Sequence, residues 1–396
     1  MPRSHASVPW VKRQVLLVLA VFCLLYGFIA VQRLTGSRQG TWSEPLSCIP
    51  IHHIAFLKTH KCGSSTVQNI LLRYGYDRNL TFVLPREIYL SRSPFRPEFA
   101  RAQPENLFAS HFDVFAHHTV WNRAGVSALM PPDTVYITIL RDPVDVFESL
   151  YTYVNLEELY KRNLTELLQS SPMPPFTLRR DSRLGPNQML YDAGLPPFQM
   201  GNRTAVAAKI REMDDNFHLV MISEEMEASL VLMKNLMCWD LADVTSLPLN
   251  VRQDAKKLSL APAERERLRR WMWPDQMLYD HFAAKFQVLK AAYGLERLER
   301  DVQALRDANF DAKRRCGIER TNDVSHLPKA LVPYQHEKME TYHLRSRQTF
   351  CVNLVRVEPD FTKMLKKWQL RRFISKNVMS PKTRLIRHDR EEGKKE

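Results

Sequence analysis

The chain has 396 residues, 44% of them apolar, enough for one large domain or two modest ones with a real core. Its 57 basic residues against 43 acidic ones leave a formal charge of +14, which calls for anionic partners: nucleic acid, an acidic membrane surface, or a phosphorylated or sulfated substrate. No zinc-finger spacing and no aromatic-basic RNA signature accompanies that charge, so nucleic acid is disfavoured.

Residues 1–14 read as a cytoplasmic tail. Residues 15–31, VLLVLAVFCLLYGFIAV, are an uncharged apolar run of 17, long for a signal-peptide core and at the short end for a bilayer span. Lys12 and Arg13 precede it and Arg33 and Arg38 follow, so the flanking charges do not decide orientation. Three Asn-x-Thr sequons at Asn79, Asn163 and Asn202 all follow the run. Together they predict a single-pass type II membrane protein with a signal-anchor helix over 15–32 and a luminal, glycosylated body. The alternative is a cleaved signal and a secreted product.

Residues 33–50, rich in Gly, Ser and Pro, read as a stem, and residues 51–375 as the body. The body opens on IHHIAFLKT, suited to a buried strand, then the turn HKCGSS, then a helix from about Ser65 to Arg73. TVYITIL over 134–140 predicts a second strand, and RDP starts the helix after it. A third strand is expected over 217–222, again with a helix behind it. Strands alternating with helices predict an α/β fold with a mainly parallel sheet flanked by helices. After about residue 255 the pattern becomes helical: two helices parted by Pro274, then a long charged helix from Leu295 to Cys316, expected to pack along the sheet. Residues 376–396 hold five lysines or arginines before the final KKE and read as a basic disordered tail.

Of six cysteines, Cys23 lies in the apolar run, which leaves Cys48, Cys62, Cys238, Cys316 and Cys351. An odd number in an oxidising lumen requires at least one unpaired thiol, and Cys62 is the candidate. Cys316 with Cys351 is the expected bridge; the partner of Cys48 or Cys238 stays open.

The loop FLKTHKCGSST, residues 56–66, carries the first chemistry. A strand-to-helix loop gathers unpaired N–H groups and the positive end of a helix dipole, which favours an oxyanion. Gly63 permits close backbone approach, Ser64, Ser65 and Thr66 supply hydroxyls, and Lys58 and Lys61 add charge. The G-x-x-x-x-G-K-[ST] pattern and an acidic strand end for magnesium are missing, so the loop suits phosphate rather than a metal-bound triphosphate. The plain alternative is a solvated basic turn. Arg141 at the end of the second strand, with Ser149 eight residues on, could grip a further phosphate. Two anion sites on neighbouring strand ends describe a ligand with two separated phosphates. Glu148 and Asp142 read as a solvated helix face and a helix-start charge, and His52, His53, His117 and His118 as surface or capping residues.

In FLKTHKCGSST, ILRDPVDVFES, FHLVMISEEMEASLVLMKNLMCWDLADV and the weaker LYDHF and VPYQ, the chain resembles the Golgi carbohydrate sulfotransferases, and among them the galactose 3-O-sulfotransferase family, whose founding activity is on galactosylceramide. The resemblance runs from about residue 52 to 351. It implies a P-loop-like sulfotransferase fold with a helical C-terminal part, and 3′-phosphoadenosine 5′-phosphosulfate as co-substrate, without a metal. By it, Lys58, Thr59, Lys61, Cys62, Gly63, Ser64, Ser65 and Thr66 bind the 5′-phosphosulfate, and Arg141 and Ser149 the 3′-phosphate. A lysine aimed at the leaving oxygen stabilises the transition state. The acceptor hydroxyl needs a base, and His60 and His111 are the two candidates. His60 adjoins Lys61; His111 matches the position where the family carries a histidine near the acceptor. Cys62-Gly63 departs from the family's Thr-Ala or Ser-Gly, and Phe112-Asp113 from the Arg that usually follows the histidine. The expected reaction is sulfation of a galactose hydroxyl, position 3, on a glycolipid or glycoprotein in the Golgi. The rivals are sulfation of a glycosaminoglycan uronic acid or hexosamine, and a catalytically silent membrane-tethered glycan binder.

Overall fold

The chain's computed structural model describes residues 48–107 and 109–378. The predicted tail over 1–14, the anchor over 15–32, most of the stem and most of the basic tail lie outside the described residues.

The sheet is built from segments that are apolar without alternation. Strand β1 (Ile54–Leu57) leads through a loop into helix α1 (Ser64–Asp77). Then come β2 (Tyr89–Pro94), β3 (Val114–Phe115), β4 (His118–Val120), β5 (Val135–Leu140) and helix α2 (Pro143–Tyr153). Helices α3 (Gln188–Asp192) and α4 (Arg203–Asn216) precede β6 (Leu219–Ile222), which feeds α5 (Met226–Met237). Four parallel strands pair in the order β3-β1-β5-β6, with Ile54 opposite Val135 and Ile137 opposite Leu219. Every residue of β1, β5 and β6 is buried, which is why they read as continuous apolar runs: a parallel sheet is covered on both faces.

Helices α6 (Pro262–Trp271), α7 (Trp273–Tyr293) and α8 (Leu295–Cys316) follow, and the break falls at Met272, with Pro274 in the first turn of α7. The hairpin β7 (Ile318–Thr321) and β8 (Thr341–Leu344) is antiparallel, and α9 (Thr349–Val355) and α10 (Glu358–Val378) end the described chain. Helix α8 departs from expectation. It packs on α5 and α7 rather than along the sheet, because its buried residues Leu298, Leu305 and Ala312 form one narrow row. Helix α10 also carries order to Val378, past the expected start of the tail.

Helix α1 is enclosed, with most of its length buried, and its polar side chains are satisfied by partners spread over the chain, the C-terminal segments among them. Asn69 donates to the Asn353 carbonyl, Gln68 to the Ala116 carbonyl and to Glu358, and Arg73 to Asn69 and the Thr245 carbonyl.

The Cys-Trp pair pins the start of β1. Cys238 is bonded to Cys48, Trp239 stacks on Tyr74 at 3.6 Å, and its indole donates to the Ile51 carbonyl. Residues 48–50, placed in the stem by composition, are therefore tied to the body. Cys316 is bonded to Cys351, joining the end of α8 to α9, and Cys62 is free and buried.

The Cys316–Cys351 link closes a loop with a sequence separation of 35 residues. Replacing both cysteines by serine is expected to lower the unfolding free energy by roughly 3–4 kcal/mol, measured as a shift of the denaturant midpoint at constant slope.

Candidate active site

From β1 the chain passes through α1 to β3 on one side, while β5 lies on the other side of β1. The carboxyl ends of β1 and β5 thus flank a topological switch point, where open α/β sheets hold ligands. The loop 58–63 and Arg141 stand there, joined by a hydrogen bond from Arg141 Nη1 to the Lys61 carbonyl at 3.2 Å. A cavity of about 430 Å³ opens beside them, lined by Lys58, His60, Lys61, Ser64 and Ser65 from the loop and by Tyr89, His118, Tyr153 and Glu358 from elsewhere.

Two loop residues have left-handed backbones, Lys61 with φ 60° and Gly63 with φ 73°. At Gly63 a Cβ would also crowd the side-chain ends of Met226, at 2.8 Å, and Ser223, at 3.1 Å, but it is the left-handed φ that favours glycine there. Helix α1 starts directly after it with no side-chain cap, so its first N–H groups face the loop.

The two lysines differ in their surroundings. Lys58 Nζ is 2.8 Å from Glu358 Oε2 and 2.8 Å from His118 Nε2. His118 is held neutral by burial and by the charge of Lys58, so its Nδ1–H donates to the Lys58 carbonyl while Nε2 accepts. Burial works against the Glu358 carboxylate, but Lys58 and the hydrogen bonds from Lys58 and Gln68 hold it below the usual range. Lys61 has no such partner. Its Nζ is buried, lies 3.7 Å from the centre of the Tyr153 ring, and makes no hydrogen bond among the described residues. Burial first, then the charges of Arg252, Arg141 and Lys58, bring its ammonium down to about 7.

His60 is fixed at three points. One carboxylate, Asp192, accepts from the His60 backbone N–H at 2.7 Å and from ring Nδ1 at 2.9 Å. Ring Nε2 faces the Tyr89 hydroxyl at 3.0 Å, and the ring stacks on His118 at 4.1 Å. A carboxylate on Nδ1 fixes the tautomer that leaves Nε2 as the basic nitrogen. Asp192 is steadied by Gln188, and α3 itself by Asp275, which accepts from the backbone of Met189 and Leu190.

The other predicted residues take structural places. The Thr59 hydroxyl donates to the Ile139 carbonyl, that of Ser64 to the Thr59 carbonyl, and that of Thr66 accepts from Leu249 N–H. Cys62 is fully buried against the His60 carbonyl, and burial pushes its thiol up, so it stays protonated. Ser149 is buried and does not line the cavity.

Several expectations need correction. His111 is not brought to the cavity: its side chain is 59% exposed and sits with Asp113 and His53 at the amino end of β1, the opposite end of the sheet from His60. The structure also buries His117 and His118. Glu148 is no solvated helix face but the buried partner of Arg252, which donates to both of its carboxylate oxygens. Asp142 is a helix-start charge: its side chain accepts from Val144 N–H.

Asp192, Glu358, Tyr89, His118 and Arg252 carried no signal in the sequence. The local text NQMLYDAG around Asp192, for example, marks only a short helix.

The family profile described as galactose-3-O-sulfotransferase matches residues 6–365. The chain is 34% identical over 343 residues to human galactose-3-O-sulfotransferase 3, covering 80% of this chain and 77% of the relative. It is 33% identical over 299 residues to human galactosylceramide sulfotransferase, covering 73% and 70%. It is 30% identical over 386 residues to galactose-3-O-sulfotransferase 2 of Sus scrofa, covering 92% and 95%.

The Lys61 environment sets a pH dependence. The unfolded chain binds this proton up to the ordinary 10.5, the folded chain only up to about 7. Between those values the unfolded state holds the extra proton, so this group makes the protein more stable as pH rises. Lys61→Met is expected to remove that slope and raise the melting temperature of the ligand-free protein at pH 8, read by calorimetry across a pH series.

Proposed function

The chain belongs to the galactose-3-O-sulfotransferase family, which makes it a carbohydrate sulfotransferase, and on that premise we propose that it transfers a sulfuryl group from 3′-phosphoadenosine 5′-phosphosulfate to a galactose hydroxyl, the 3-OH. The observation that carries the reading is Lys61: a buried cation without a hydrogen-bond partner among the described residues, at the uncapped start of α1, in the same cavity as a histidine braced by a carboxylate.

The orphaned Nζ fits an anionic donor, because a phosphosulfate supplies the oxygens that this ammonium lacks. The donor, when bound, brings an activated sulfuryl group on a good leaving phosphate. Lys61 and the first N–H groups of α1 hold the 5′-phosphosulfate, and Lys61 stabilises the charge that collects on the leaving oxygen. Arg141 takes the 3′-phosphate. The charge of Lys58 is already shared with Glu358, so it orders the cavity wall more than it binds the donor. His60 is the general base on the acceptor hydroxyl, with Asp192 stabilising the imidazolium that forms.

The acceptor class is a galactose-terminated glycolipid or glycoprotein, consistent with the substrates named by the relatives. The apolar run over 15–31 and the exposed Asn79, Asn163 and Asn202 support a Golgi enzyme of type II topology with a glycosylated luminal body. N-glycosidase treatment of the secretory-pathway protein is then expected to increase its gel mobility in up to three steps, and no change would remove the luminal assignment.

The functional test is an assay of the full chain in detergent, with radiolabelled donor, against galactosylceramide, lactose-type oligosaccharides and heparan chains. Transfer to a galactose acceptor is expected, and transfer to heparan alone overturns it. Lys61→Ala is expected to lower kcat by about 10²–10³-fold, and His60→Ala by about 10²–10⁴-fold with donor binding kept.

A further inference from the structure

The basic nitrogen of His60 already has a protein partner in the cavity wall. Its Nε2 already faces a protein hydroxyl, that of Tyr89, at 3.0 Å. Nδ1 is taken by Asp192, so the donor in the Nε2 contact is the phenol O–H. Tyr89 lies on β2, pairs with His118 across the β2–β4 ribbon, and lines the same cavity as Lys61 and Ser65. The Arg183 guanidinium covers its ring at 4.8 Å, and Arg183 Nη1 is buried with no hydrogen-bond partner among the described residues. A sugar hydroxyl that is to give its proton to His60 Nε2 therefore has to engage or displace the Tyr89 hydroxyl, and both residues line the cavity.

We propose that Tyr89 is a catalytic residue of the transfer, a proton relay that receives the acceptor's proton on its hydroxyl oxygen while passing its own proton to His60. The proposal rests on the reading of His60 as base. In the step, the acceptor O–H bond breaks and a new Tyr89 O–H bond forms. The former Tyr89 proton bonds to His60 Nε2, giving an imidazolium paired with Asp192. The acceptor oxygen bonds to sulfur, and the sulfur–oxygen bond to the leaving phosphate breaks with its electron pair on the oxygen beside Lys61. Tyr89 begins and ends the step as a neutral phenol.

The surroundings of Tyr89 suit this role. Burial, only partly offset by Arg183, pushes its hydroxyl up to about 12, so it enters the step protonated and able to donate. The Arg183 cation over the ring face lowers the cost of negative charge on the phenol oxygen as the two protons move. The stacked pair of His60 and His118, with Tyr89 stacked on His118 at 5.4 Å, leaves the phenol little room to swing aside.

The test compares wild type and Tyr89→Phe as full chains in detergent, with the donor and a galactose acceptor. Tyr89→Phe is expected to lower kcat by about 100-fold or more, while the affinity for adenosine 3′,5′-bisphosphate stays within twofold. The rate in mixtures of light and heavy water separates a relay from a structural role. Two protons in flight give a bowed dependence on deuterium fraction in wild type, and one proton a straight line in the residual activity of the variant. A kcat for Tyr89→Phe within about threefold of wild type overturns the relay, and so does a straight line in wild type, which needs no variant to fold. Wild type with no transfer to any galactose acceptor overturns the proposed function itself. Transfer that survives His60→Ala overturns the choice of base.

Discussion

The cavity depends on one buried ion pair, Lys58 with Glu358. It joins residues 300 positions apart, the exit of the first strand and the first turn of the last helix. Such a pair adds little net stability, because removing two charges from water costs about as much as their attraction returns. Its effect is positional. The largely buried Glu358 carboxylate is met by Lys58 and Gln68, with His117 nearby, and these contacts fix the start of α10 against α1. That placement brings residues 331–361 over the crevice at the ends of β1 and β5 and turns an open switch point into an enclosed cavity.

Within that enclosure the two loop lysines are set apart by their neighbours. Lys58 meets a carboxylate and a neutral imidazole and keeps a permanent role in the wall. Lys61 meets an aromatic ring and three other cations and, among the described residues, no hydrogen-bond acceptor. An uncompensated buried ammonium is unfavourable, so it either gives up its proton, as the drop to about 7 reflects, or takes an anionic ligand. This ties the overall positive charge to one place. A surplus of +14 spread over the surface would draw many polyanions weakly, whereas one orphaned ammonium at a helix start selects a compact anion.

The sequence told strands from helices wherever burial is complete on both faces. IAFL, VYITIL and LVMI are unbroken apolar runs, and they became β1, β5 and β6. The phosphate-type loop was legible for the same local reason, since strand, turn and helix lie within a dozen residues. The rest of the site was not legible because it is assembled by topology. Asp192 reaches His60 across 132 residues and Glu358 reaches Lys58 across 300, each as one residue in a segment without a motif. His111 was misread because its family position was taken for a spatial one. Only two residues separate it from β3, but on the amino side, so it stays at the far end of the sheet while the parallel strand carries the chain toward the crevice. His117 and His118 were misread because two adjacent polar residues look like a surface turn, whereas the fold buries His117 against α10 and His118, the first residue of β4, against the loop lysine.

His60 and Lys61 are neighbours in sequence yet are held by different elements, the first by Asp192 of α3 and the second against Tyr153 of α2. That divergence comes from the backbone. A left-handed residue at 61 costs about 1–2 kcal/mol for a side chain with a Cβ, and it reverses the turn so that consecutive side chains leave on different sides. The Asp192 carboxylate holds the same turn, because it binds the His60 backbone N–H as well as the ring. Cys62 completes the arrangement from below: small, apolar when protonated and fully buried, it lets the loop close against Gly63 and α5 without adding a charge next to Lys61. Loop conformation and the placement of base and cation are therefore one constraint, and substitution of Asp192 would disturb all three together.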